Sequence, residues 1–241
     1  MFNIFNILPD SLSQQDLILS TWQTFYMVYI SSFIAIFLGI ILGVFLVFTK
    51  NSSKLFLYLN SIVGFIINIV RSIPFIILMI SLIPLTKILL GTTIGTNAAI
   101  VSLSIAAVAF YARIAESAIS EVDQGKVEAL IAMGATKWHM ICKLYLPESL
   151  PGLIRGATLT IISLIGYSAM AGAIGGGGLG ELAYNLGYLR FNVSVIIITV
   201  ILLVILVQLV QVLGDSLSKA KPKGNVIILT SVFLLILSIV I

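Results

Sequence analysis

The side chains able to do chemistry are few, and they crowd into one place. Of 22 charged residues (13 basic, 9 acidic), ten lie between Arg113 and Arg155, and the runs on either side are almost wholly apolar. A catalytic centre would need paired ionisable groups or metal ligands, and the spacing supplies neither. His139 is the one histidine and lies in the polar stretch, away from Gly166, Ser168 and Met170, which in any case miss a G-x-S-x-G elbow at its last position. Gly175, Gly177 and Gly180 satisfy G-x-G-x-x-G, but that fingerprint takes dinucleotides only after a strand in a βαβ unit, and an apolar helical run precedes it here. No G-x-x-x-x-G-K-[ST] occurs, so any energy from ATP must come through another polypeptide. A single cysteine, Cys142, allows neither an intrachain disulfide nor a metal cluster. The residues point away from an enzyme and to no cofactor or metal held by this chain.

What must position these residues is a membrane bundle. The chain is 60% hydrophobic and 9% charged, with a mean hydropathy of +1.19, against about 25% charged in globular domains. About 20 apolar residues in a helix cross a hydrocarbon layer of roughly 30 Å. The expected fold is therefore an all-α, polytopic transmembrane bundle of five or six spans. These are Thr24 to Phe48, one within Leu55 to Leu85, Asn97 to Ala112, Gly156 to about Ala173, and Val193 to Leu213. Residues 1–217 form one membrane domain; residues 218–241 add a basic turn and an apolar stretch, Val226 to Ile241, that is either a thin or tilted sixth helix or an interfacial tail. Gly39 and Gly43 make a G-x-x-x-G in the first span, which is either a close helix contact or incidental.

Ten of the 13 basic residues fall on the side that carries Lys50, Arg113 to Arg155 and Lys219 to Lys223, two (Lys87, Arg190) on the other, and Arg71 in a span. By the positive-inside rule the first side is cytoplasmic and the N-terminus outside. The pI near 9.2 therefore marks topology, not nucleic-acid binding. The first 49 residues contain neither Lys nor Arg, so the first span is expected to serve as its own insertion signal. The segment before it and the stretches Pro84 to Thr96 and Gly175 to Arg190 read as outer-side connections. Arg71 is costly inside a bilayer. It sits either at the inner headgroup level or as an inward-facing charge near a solute path, with Pro74 kinking the helix beside it.

The polar stretch Glu121 to Pro151 reads as two short amphipathic helices. Val127, Leu130 and Ile131 share one helical face, Gly134 breaks that helix, and Thr136 caps a second that carries Trp138, Ile141, Cys142 and Tyr145. Pro147 and Pro151 are expected to stop it. With no core of their own, these helices need a partner surface.

Glu128-Ala129-Leu130, then Gly134-Ala135, then Leu144-x-Leu146-Pro147 match the EAA loop of ABC importer permeases in spacing, departing only by Leu130 at the third alanine. With RSIPFIIL from Arg71, LPESLPGLIRG from Leu146 and LIGYSAMAGAIGGGGLGELAYNLGY from Leu164, the chain resembles the permease subunit of methionine-uptake ABC transporters, a type I importer permease. The resemblance covers about Trp22 to Leu217. It implies a bacterial cytoplasmic-membrane protein that works as a homodimer. Two copies of an ATP-binding subunit dock on the loop at Glu128, Ala129, Leu130, Gly134, Ala135, Leu144, Leu146 and Pro147, and an extracytoplasmic solute-binding lipoprotein delivers D- or L-methionine. Another small amino acid or solute is the alternative. The candidate path residues are Tyr167, Ser168, Met170 and Arg71, with Met170 either a plug in a narrow conduit or a packing side chain. An ion-coupled carrier would need carboxylates or histidines near mid-membrane, and no Asp or Glu lies well inside an expected span.

Overall fold

The structure is a computed structural model that describes residues 12–50 and 53–219; the expectations for the first eleven residues, for Lys221 and Lys223 and for Val226 to Ile241 lie outside them. Helix α1 (Gln14–Thr49) opens with a capping box, in which Ser13 Oγ accepts the Asp16 N–H at 3.1 Å and Asp16 accepts the Ser13 N–H in return. Helix α2 (Lys54–Ser72) ends where Ile73 turns extended (φ −85°, ψ 127°) ahead of Pro74. Proline forces its predecessor out of the helical region and has no N–H to continue the ladder. The expected kink is therefore a full break, followed by α3 (Phe75–Ser81) and α4 (Ile83–Leu90). Pro84 and Lys87, read from sequence as part of a turn, lie inside α4. Pro84 occupies the first turn, where its missing N–H has no intrahelical partner to lose.

Helix α5 (Thr96–Ser120) returns to the end of the bundle where α1 stops, and a helical elbow follows: α6 (Gln124–Ala132) and α7 (Lys137–Met140). Pro147 and Pro151 do not stop the chain there. A π-helical turn, Ile141–Tyr145, carries α7 directly into α8 (Leu146–Ala171). The wider turn shifts the carbonyl register ahead of Pro147, which has no donor to supply. The glycine-rich segment is also more than a connection. It forms a kinked turn, Gly172–Gly176, in which Ile174 and Gly175 (φ +90°) leave helical geometry, then α9 (Gly178–Leu182) and a second π turn, Ala183–Tyr188, before α10 (Val193–Lys219). Gly178 N–H donates to Gln23 Oε1 at 2.9 Å and Leu179 N–H to Thr24 Oγ1 at 2.8 Å, so the free donors at the start of α9 are met by α1. Among the described residues five helical units are long and apolar enough to cross a membrane: Gln14–Thr49, Lys54–Ser72, Thr96–Ser120, Lys137–Gly176 and Val193–Lys219.

The G-x-x-x-G motif of α1 is a working contact. A Cβ on Gly39 would stand 2.6 Å from Tyr111 Cδ1, and one on Gly43 2.6 Å from Ala115 Cβ, so α1 and α5 lie backbone to backbone. On the other face of α5, a Cβ on Gly152 of α8 would come 2.9 Å from Ala118 Cβ, and Tyr111 donates its hydroxyl hydrogen to the Leu153 carbonyl at 3.1 Å. Gly214 of α10 closes on Thr158 of α8 in the same way. Helix α2 is fastened by Arg113, which donates to the Gly64 carbonyl at 2.9 Å and pairs with Glu116 at 2.6 Å. Asn60 adds hydrogen bonds to the Leu46 carbonyl and Thr49 Oγ1 at the end of α1.

Overpacking a close seam costs about 1–3 kcal/mol or more. Gly43→Leu is expected to lower the thermal midpoint of the detergent-solubilised protein by several degrees, whereas Val200→Leu, on the exposed face of α10, leaves it unchanged. Equal midpoints would remove the seam from its place in the fold.

Candidate functional site: the helical elbow and the cleft at Arg71

The elbow, expected to have no core, has a small one. Val122, Val127, Met140 and Leu144 are buried together, with Leu130, Ala135 and Tyr145 packed against them. Its bend is a Schellman turn: Gly134 N–H bonds to the Ile131 carbonyl at 2.9 Å and Ala135 N–H to the Leu130 carbonyl at 3.0 Å. Gly134 has φ +76°, which a side chain resists. Thr136 caps α7 as expected, its hydroxyl oxygen accepting the His139 N–H at 3.3 Å. One ion pair, Lys126 to Glu148 at 2.5 Å, ties α6 to the start of α8; its hydrogen bond holds the Lys126 ammonium above its ordinary range.

This small core sorts the eight sequence-selected residues. Glu128, Ala129 and Gly134 are exposed; Leu130, Ala135, Leu146 and Pro147 are half-buried; Leu144 is buried and serves the elbow's own packing. Ile131, placed by its spacing on one face with Val127 and Leu130, parts from them and points out at 58% exposure, as do Met133 at 73% and Trp138 at 74%. These three large apolar side chains follow Glu128 and Ala129 within ten residues and are left exposed among the described residues. Sequence reading expected partner contact at Trp138 but not at Met133, because Met133 lies past the last full helical turn, where periodicity carries no signal.

The four path candidates separate. Arg71 and Tyr167 meet at a cleft of about 170 Å³, also lined by Ile73, Phe75, Ala106 and Phe110. Tyr167 stacks on Phe75 with ring centroids 4.7 Å apart, and the Arg71 guanidinium stands 5.9 Å from the centre of the Phe110 ring. Ser168 faces away: it is buried and donates to the Ile165 carbonyl at 2.7 Å, a local helix bond. Met170 is 47% exposed on the same side of α8 as Gly166, which has open space beside it.

Residues 35–220 match the family described as the inner membrane component of binding-protein-dependent transport systems. The chain belongs to that family. It is 48% identical over 208 residues to the probable D-methionine transport system permease of Vibrio cholerae, covering 86% of this chain and 92% of the relative. With the methionine import system permease of Bacillus subtilis the identity is 47% over 156 residues, 65% of this chain and 70% of the relative. Among solved structures it is similar to a chain of the MetNI methionine ABC transporter in an inward-facing conformation, with a TM-score of 0.83 and 44% identity, covering 87% of this chain and 99% of that one. The five-span, all-α architecture expected from sequence is thus that of an ABC importer permease, a transport component of the inner membrane.

A side chain forced to φ +76° costs about 1–2 kcal/mol, and loss of an N-cap about 1 kcal/mol. Gly134→Val and Thr136→Ala are both expected to speed amide hydrogen exchange across residues 124–145 while α1 and α5 stay protected. Uniform exchange in both variants would show that the bend does not organise the elbow.

Proposed function

We propose that this chain is the membrane-spanning subunit of an ABC importer for methionine, driven by a separate ATPase that docks on the elbow. The observation that carries the coupling assignment is the exposed apolar face of Ile131, Met133 and Trp138 beside Glu128 and Ala129, held rigid by a packed core. An apolar patch on a water-facing elbow of a membrane protein is what a partner groove would cover. Methionine is supported by the names of the relatives and of the similar solved transporter. The elbow end carries Lys50, Arg155 and Lys219, which supports a cytoplasmic elbow and an outer start of α1.

Two copies of the chain would enclose the path between them, with two ATPase subunits binding ATP on the cytoplasmic side and a solute-binding lipoprotein delivering methionine outside. The chain itself binds no nucleotide. ATP closes the ATPases, brings the elbows together and tilts the spans from inward-open to outward-open. Switching such an equilibrium from 1:99 to 99:1 takes about 5.5 kcal/mol of differential binding. The proposed path runs along Tyr167 and Met170 of α8 and Arg71 of α2; Ser168, buried and bonded to its own helix, does not border the cleft.

Glu128→Lys reverses a charge in the docking face, and Gly134→Asp strains its bend. In proteoliposomes holding the complete complex, each is expected to cut ATP-driven methionine import by about tenfold or more, the loss of a single interface hot spot, while the chain remains in the membrane. Import at the wild-type rate in both variants would end the docking assignment.

A further inference from the structure

Among the described residues Arg71 has no acidic partner, although it lies near the end of an apolar helix. Phe110, whose ring lies under the guanidinium, stands about 15 Å along α5 from its Ser120 end at 1.5 Å per residue. Glu116 pairs with Arg113 and Asp215 accepts from Gln211, both toward the elbow end. Glu181 of α9 lies level with Gly172 at the end of α8 and accepts from the Asn185 amide. The one other ion pair among the described residues, Lys126 with Glu148, is in the elbow. A guanidinium without a counter-charge is costly inside a bilayer, and among the described residues no carboxylate pairs with this one.

We infer that Arg71 is a specificity-determining residue that receives the carboxylate of the transported amino acid, with Phe75, Phe110 and Tyr167 forming the apolar wall against its side chain. This rests on the reading of the chain as an amino-acid importer. The guanidinium offers a planar pair of donors that matches a carboxylate bidentately. Its stacking over Phe110 holds it at the cleft, and the stacked Phe75 and Tyr167 rings present aromatic surface suited to an aliphatic or thioether chain. The cleft of about 170 Å³ has room for a carboxylate and its adjoining atoms. The site therefore selects for a monocarboxylate with an apolar side chain and against cations.

The test uses the full complex, with its ATPase and binding protein, in proteoliposomes, and reads methionine import and binding-protein-stimulated ATP hydrolysis side by side. Arg71→Gln is expected to lower import at least tenfold with hydrolysis within twofold of wild type, and Arg71→Lys, which keeps the charge, to restore a large part of the loss. Wild-type import by Arg71→Gln overturns the inference. So does a joint fall of import and hydrolysis in an intact complex, which marks a structural or gating role. With nitrogen-labelled arginine and carboxyl-carbon-labelled methionine at saturation, solid-state NMR is expected to show a dipolar contact that Arg71→Lys removes; no contact in the wild type also overturns it. If the wild-type complex imports no methionine at all, the functional reading fails rather than the role of Arg71.

Discussion

The bundle depends on backbone-to-backbone contact at glycine. Between helices in lipid there is little hydrophobic drive, because the acyl chains are as apolar as leucine, so cohesion comes from van der Waals contact where small residues let helices close up. Gly39 and Gly43 provide this between α1 and α5, Gly152 and Gly156 between α8 and α5, and Gly214 between α10 and α8. Helix α5 is the hub, buried along most of its alanine-rich length. Gly172 and Gly180 repeat the pattern around α9, folding it back against α8. Gln23 and Thr24 then accept from the Gly178 and Leu179 N–H groups, which keeps those donors from facing lipid unsatisfied.

The elbow is joined to this bundle by helix rather than by loop. The helical run from Lys137 through Pro147 to Ala171 has no break, so the elbow meets the bundle as one continuous element with no hinge at Pro147. Irregular backbone flanks α8 at both ends, a π turn at Ile141–Tyr145 and a kink at Ile174 and Gly175, and such irregularities concentrate near functional sites.

Much of this was legible in the residues. The five spans, the bend at Gly134 and the Thr136 cap each follow from a strong local signal: apolar length, a residue tolerant of left-handed backbone, and a hydroxyl before a helix. The continuity through Pro147 was not, because a proline rule describes an ordinary α-helix and a π turn upstream changes the register it applies to. The small core of the elbow was also hidden, since Val122 and Met140 meet Val127 only after the bend has formed. Ser168, named beside Tyr167 and Met170 as a path candidate, is buried, since a hydroxyl bonded to its own helix loses little by leaving solvent. The cleft at Arg71 needed the third dimension altogether, as Phe110 and Tyr167 are far from it in sequence.

The break before α3 has a consequence for hydration. Pro74 offers no N–H to the Val70 carbonyl, so the helical ladder loses a rung at the depth of Arg71. Polar backbone is tolerated at that level only where it faces protein or a water-bearing hollow, and Val70 and Ile73 both border the cleft. Solvent drawn to that notch would serve the open carbonyl and the neighbouring guanidinium together, so one break in a helix lowers the cost of two polar groups.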